Sequence, residues 1–507
     1  MTKPAATEPR HTVLSKRVLD EYAAVRESLP PGVVSPERRH EAIEALTARG
    51  LPTTREENWR YTNLRPLEKA RFAPVGAASG STATGASTRT PAPAEAPAVA
   101  TPSAGAPAAV SRPTLSPPSA SDLPAKLAGF TRYTFVDGVF APELSSPEEQ
   151  PGLTVRTLRR AGQGTTDGTC TTGTTGRPSS ATLFQLPRAL PAFSDLPEAR
   201  LALLNEAFAT DTAAIHVGGT AGAPARVELL FIAIAGADIG TSYPRVQVSL
   251  DPASRLILVE RHTSVGGTNP ASGGANFVNS SVNVDIGRGA HLTHYRLQQA
   301  GTRATWFDTL SAVLGADARY GLLAVNTGAL SARSTTYVQM AGAGAELTLS
   351  LAALGDRQQV QDNFALVEHI APRARTEQTF RGIASGRARV AFNGKIAVRE
   401  AAAGTDSRQS LRGLLAGPEA EIDVRPQLEI YTDDVRCSHG ATAGKLDDNM
   451  LFYLLSRGLS PEVAQRLLKW AFLEDVVSKI ELPELRRQIE HDLAGQMADA
   501  ASLKELL

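Results

Sequence analysis

Apolar and polar positions alternate with a period of two through most of the middle of the chain, between about residues 185 and 430. Runs such as "ARVELLFIAI" (225–234), "RLILVE" (255–260), "FVNSSVNVDI" (277–286), "HLTHYRL" (291–297), "ARVAFNGKIAV" (388–398) and "AEIDVRPQLEI" (420–430) are β-rich and broken by Gly, Asn, Asp and Pro. That pattern predicts short strands joined by tight turns. Strand starts recur at irregular intervals, a spacing open to a coiled solenoid of strands or to a large sandwich. Within this stretch only "PEARLALLNEAFA" (197–209) reads as a helix.

The ends follow a different rule. Residues 35–50 open on Ser35 as N-cap with Pro36 at the first helical position and close on Gly50, which predicts a short helix; residues 12–28 also read as helical. After them, "REENWRYTNLRPL" offers Trp59, Tyr61 and Leu64 to pin the segment onto something larger. At the other end Asp447 and Asp448 cap "NMLFYLLSR", Ser460 and Pro461 start "EVAQRLLKWAFLEDVVSKI", and Pro483 starts "ELRRQIEHDLAGQM". The middle one of these helices is apolar around much of its circumference, so it must pack inside a bundle or against another protein. The expected organisation is an N-terminal helical region (1–72), a linker or insertion (73–125), a mixed region (126–184), a β core (185–440) and a C-terminal helical domain (441–507).

Composition changes the picture in three places. From 76 to 120 the chain is almost wholly Ala, Pro, Ser, Thr and Gly, which cannot bury enough apolar surface to offset the entropy of ordering; a disordered linker is expected there. A Gly/Thr-rich patch at 162–180 carries Cys170, expected to be a free thiol in a loop. Lys plus Arg and Asp plus Glu both number 52, so no whole-chain field argues for nucleic acid or an anionic membrane. Two distant cysteines do not make a disulfide framework, no secretory leader opens the chain, and no apolar run is long enough to span a bilayer. A cytoplasmic protein is expected.

The chemistry concentrates in "EIYTDDVRCSHGATAGKLDD" (429–448). "GATAGKL" resembles a phosphate loop but has three residues between its glycines and Leu446 after Lys445, where a Walker element needs four and a hydroxyl. It reads instead as a turn from strand to helix, and ATP hydrolysis is not expected of this chain. Asp433 and Asp434 are adjacent, and adjacent strand residues point to opposite faces, which disfavours a paired acid and base. Cys437 and His439, two apart, project to the same face if the strand continues. They are ligands suited to iron, zinc or sulfur chemistry, but two are too few for a stable site. The pair is either a half-site completed elsewhere or a buried thiol beside a hydrogen-bonded imidazole.

Residues 425–477, "RPQLEIYTDDVRCSHGATAGKLDDNMLFYLLSRGLSPEVAQRLLKWAFLEDVV", resemble the C-terminal signature of the SufB/SufD family of iron-sulfur cluster assembly (SUF system) proteins, with "CSHGAT" and "LFYLLSRG" nearer the SufD branch. "EENWRYTNL" (56–64) resembles the family's N-terminal segment, and "LNEAFATDTAAIHV", "GKIAV" and "TDSRQS" agree more weakly. The resemblance implies a right-handed parallel β-helix core between helical ends. It also implies a non-catalytic scaffold subunit that pairs with a SufB-like subunit and binds a SufC-like ATPase through its C-terminal helices. Carried over by motif, His439 with Cys437 belongs to a transient iron or iron-sulfur cluster site shared with the partner. The docking surface is expected at Phe452, Tyr453, Leu467, Leu468, Phe472 and Val476. Some assemblies of the family hold reduced FAD, and no residue here is specific for flavin. The alternative function is an independent metal-dependent β-helix hydrolase.

Overall fold

A computed structural model describes residues 13–75, 118–157, 196–219, 222–234, 241–265 and 276–497. The linker expected over 76–120 falls almost wholly outside the described residues, and the patch with Cys170 lies outside them entirely.

Strands begin earlier than the alternation suggests: β1 (Thr131–Val136), β2 (Val139–Phe140), β3 (Leu153–Thr157), β4 (Ala213–Val217), β5 (Ala225–Ile234), β6 (Thr241–Ser242) and β7 (Arg245–Leu250). They continue as β8 (Arg255–Val265), β9 (Phe277–Ile286), β10 (His291–Gln299), β11 (Thr305–Leu314), β12 (Arg319–Asn326), β13 (Ser331–Met340) and β14 (Glu346–Gly355). The series closes with β15 (Val360–His369), β16 (Arg375–Ala384), β17 (Arg389–Val398), β18 (Thr405–Leu415), β19 (Glu421–Ile430) and β20 (Val435–Gly444). One sheet has the order β2-β1-β5-β8-β10-β12-β14-β16-β18-β20, and the other β19-β17-β15-β13-β11-β9-β7-β4-β3.

From β8 onward successive strands alternate between the sheets, and every pair is parallel. The chain therefore coils as a parallel β-solenoid, each rung contributing one strand to each sheet, and the sandwich alternative is set aside. Parallel neighbours stack in register, so like positions form columns through the core. One inward column runs Leu256, Leu292, Tyr320, Leu347, Thr376, Ser407, Cys437, and the next runs Leu258, His294, Leu322, Leu349, Gln378, Gln409, His439. Both are mostly apolar in their early rungs and turn polar in the last three. Midway along the interior, Arg296 bridges Glu260 (2.7 Å) and Asp308 (2.7 Å), and His262 adds a 2.6 Å contact to Glu260. Although burial opposes its charge, Arg296 and the two histidines hold Glu260 well below the ordinary carboxylate range. The interior tolerates these charges because each has an opposite partner.

Helices cover the outer faces. The helix expected over 35–50 forms as α2 (Pro36–Arg49): the Arg38 amide donates to Ser35 Oγ at 3.4 Å, and Gly50 takes φ +70°. Residues 12–28 resolve into α1 (Val13–Val25) and a 3-10 turn. With α3 (Arg200–Phe208) these helices build a core against Tyr243, Phe277 and Phe307 of the solenoid. The buried guanidinium of Arg39 donates to the carbonyls of Ala207 and Ala209 at the end of α3 (2.7 and 2.8 Å), satisfying groups a helix leaves open. Trp59 pins the segment as expected: it is 1 % exposed, and Arg333 lies 3.9 Å from its ring centroid while bonding Asp362.

At the C-terminus come α4 (Asp448–Ser456), α5 (Pro461–Val477) and α6 (Pro483–Gln496). Trp470, Leu473, Val476 and Val477 of α5 and Leu485, Ile489 and Leu493 of α6 pack on Tyr295, Leu297, Leu323, Ala352 and Ile383 of the first sheet. The apolar circumference of α5 is thus largely used within the chain. No helix among the described residues is long and apolar enough to cross a membrane.

Trp59→Ala removes a buried ring and the cation–π partner of Arg333, and is expected to cost about 3–5 kcal/mol. Urea unfolding followed by tryptophan-independent circular dichroism checks it; a loss below about 1 kcal/mol would show that the N-terminal segment is not anchored here.

Candidate functional site

The solenoid ends on β19 and β20, the outermost strands of the two sheets. β20 is largely exposed and β19 half-buried along most of its length, in contrast to the buried rungs before them. Edge strands present a row of unpaired backbone donors and acceptors and are normally blunted or covered. Among the described residues no strand pairs with the outer edge of β20, and Ile430 and Tyr431 at the end of β19 are 41 % and 53 % exposed.

The sequence "VRCSHGATAG" forms β20 throughout, so "GATAG" is strand and not the turn expected from its glycines. The helical domain accordingly begins after Gly444. Parallel pairing with β18 supplies the reason: Ser410↔Gly440 through Leu414↔Gly444 continue the ladder, and the helix starts only where Asp447 accepts from the amides of Asn449 and Met450. Asp433 and Asp434 fall in the bend before β20; Asp434 uses its backbone carbonyl to accept from Gly404 (2.7 Å).

Cys437 and His439 stand on the inward face of β20, one rung beyond Ser407 and Gln409. They share a face, as their spacing requires; Arg436 and Ser438 take the other. Cys437 is half-buried against the core and His439 is exposed. Burial, reinforced by Asp406, pushes the Cys437 thiol above its ordinary value, while the Ser407 backbone amide pulls the other way. Among the described residues no group of three or more His, Cys, Asp and Glu side chains is placed to hold a metal ion. The pair can offer a thiolate and an imidazole to a metal, and needs further ligands from outside.

Behind the pair lies a polar floor that periodicity alone did not single out. Ser407 is fully buried, and its hydroxyl has no partner among the described residues. Gln409 donates to the Gln378 side-chain oxygen (2.8 Å) and to the Gly394 carbonyl (3.1 Å), leaving its own oxygen unpartnered. Gly394 is required here: a Cβ would come within 3.0 Å of Gln378 Oε1 and 2.7 Å of Phe392. Thr376, beneath Ser407, contacts His369 Nε2 at 2.9 Å. The signal that could have found this floor is "TDSRQS": its inward positions are polar where earlier rungs are apolar.

The docking residues expected on the C-terminal helices separate into three groups. Phe452 and Tyr453 are 72 % and 56 % exposed, with Met450 (60 %) beside them on α4. Leu467, Leu468 and Phe472 are half-buried. Val476 is fully buried against the solenoid and cannot contribute to a surface, a correction that follows from α5 spending that face on the core.

Burial also drives the His369 imidazole down to about 4. The unfolded chain takes this proton below about pH 6.5, where the folded chain still refuses it. Stability is therefore full above that pH and falls as pH drops toward 4, by about 3 kcal/mol from this group. His369→Leu, in a column that also holds Leu250, Ile286, Leu314, Met340, Val398 and Ile430, is expected to flatten that part of the acid slope. Urea midpoints at pH 7 and 4.5 test it; an unchanged slope would count against a neutral buried imidazole.

Residues 232–472 match the family described as SUF system FeS cluster assembly, SufBD core domain. The chain is 26 % identical over 449 residues to the iron-sulfur cluster assembly protein SufD of Escherichia coli, covering 88 % of this chain and 89 % of that one. It is 26 % identical over 455 residues to an iron-sulfur cluster assembly SufBD family protein of Synechocystis, covering 89 % of each. A SufBD family protein of Mycobacterium leprae is 31 % identical over 208 residues, 38 % of this chain and 53 % of that one.

Proposed function

Because the chain belongs to the SufBD family of iron-sulfur cluster assembly proteins, we propose that it is the SufD-like scaffold subunit of a cytoplasmic assembly complex, without catalytic turnover of its own. The observation that carries this reading is the uncovered terminal rung, whose inner face presents Cys437 and His439 as an incomplete ligand pair. A SufB-like solenoid seated end-on would cover the free edge of β20 and bring the missing ligands. Iron or a nascent cluster is the cargo of this seam. The imidazole of His439 offers a nitrogen lone pair to iron. Whether Cys437 ligates depends on loss of its thiol proton, which burial opposes and iron favours.

A SufC-like ATPase would supply the nucleotide chemistry, docking on α4 through Phe452 and Tyr453 with the half-buried Leu467, Leu468 and Phe472 of α5 beside them. Large exposed aromatics on one short helix support this, since isolated chains rarely leave such a patch open. Reduced FAD, if carried by the complex, is assigned no residue of this chain.

His439→Ala is expected to leave the fold intact and reduce cluster formation on the reconstituted complex to background, read by the iron-sulfur absorption in the visible range. Normal cluster yield sinks the proposal. Stoichiometric metal and hydrolytic turnover by the isolated chain would favour the hydrolase instead. Phe452→Ala with Tyr453→Ala should weaken ATPase binding by at least about 2 kcal/mol, roughly 30-fold. Calorimetric titration with unchanged affinity would move the docking surface elsewhere.

A further inference from the structure

The inward columns raise a question about which nitrogen of His439 faces the seam. A neutral imidazole carries one N–H and one lone pair, and in ligating histidines the N–H is normally held by an outer acceptor that fixes the tautomer. Gln409 lies one rung beneath His439 in the same inward column, about 4.8 Å away along the stack. Its amide orientation is not a free choice. The Gly394 carbonyl can only accept, so the Gln409 nitrogen must face it, and the same nitrogen donates to Gln378 Oε1. That commits the donor inward and leaves Oε1, on a side chain 4 % exposed, without a partner among the described residues. Gln378 and Gln409 thus form an ordered amide ladder, oxygen to nitrogen, that stops one step short of the exposed imidazole.

We infer that Gln409 is the positioning residue for His439: Oε1, left open in the structure, is the acceptor onto which the exposed ring turns its N–H, so that the other nitrogen, with its lone pair, faces outward to the iron seam. This inference rests on the assignment of His439 to that seam. The ladder continues the rung repeat by one member and satisfies a buried carbonyl that otherwise has none. Gln409 itself touches no cargo.

The test uses the full chain labelled with [15N]histidine at pH 8, with His439→Gln assigning the signal among the nine histidines. Two-bond nitrogen–proton correlations are expected to show His439 as a single neutral tautomer. Gln409→Met keeps length and burial but has no acceptor, and should lose that signature to averaged nitrogen shifts. A mixed tautomer in the unmodified chain overturns the inference, and so does a tautomer unchanged in the Met variant. Circular dichroism melts establish that the variants fold; if Gln409→Met does not, Gln409→Leu serves in its place against the leucines of the same column. Failure of the assembly reading looks different: the tautomer result stands while His439→Ala gives normal cluster yield.

Discussion

In-register parallel stacking is the constraint on which this structure depends. Each rung adds one strand to each sheet at a repeat of about 4.8 Å, and position by position the side chains fall into columns. A column admits a polar residue only if its neighbours above and below, or the facing sheet, can satisfy it. The interior obeys this with two devices: the ion network of Glu260, Arg296 and Asp308, in which each charge has a partner, and the amide ladder of Gln378 and Gln409. A stack of this kind also has to end, and the final rung cannot satisfy itself. The exposed face of β20 is the physical consequence of stopping there.

The two sheets have outer faces as well as inner ones, and the helices decide which surfaces stay open. The N-terminal helices and Trp59 occupy the outside of one sheet, with Arg333 joined both to the indole and to Asp362. Helices α5 and α6 occupy the outside of the other. What remains is the terminal rung and the aromatic side of α4, two exposed surfaces separated by the short link from Gly444 to Asp447.

Much of this was legible in the residues. The period of two in the middle, the capped helices at both ends and the shared face of Cys437 and His439 all follow from local rules, because they depend on neighbours two to four residues apart. Other features escaped. Strands β1 and β3, far before the expected core, join the sheets because β5 and β4 are there to pair with them. The stretch "GATAG" looks like a turn and is strand because β18 offers ten partners in register. Val476 looks like one more apolar residue on a docking helix and is buried because the first sheet lies beneath it.

The sequence by itself determined the alternation that makes strands, the caps that start and stop helices, and the chemistry of a thiol two residues from an imidazole. Those are properties of a chain segment and its backbone. Only the tertiary structure decided that Cys437 closes a column above Ser407 and Thr376, and His439 the next one above Gln409 and Gln378, residues tens of positions away brought within two rungs by the coil. Strand period says which face a residue takes, but not what lies above or below it. That vertical neighbour is set by the register of one rung on the next, and it is the register that puts a polar floor beneath Cys437 and His439.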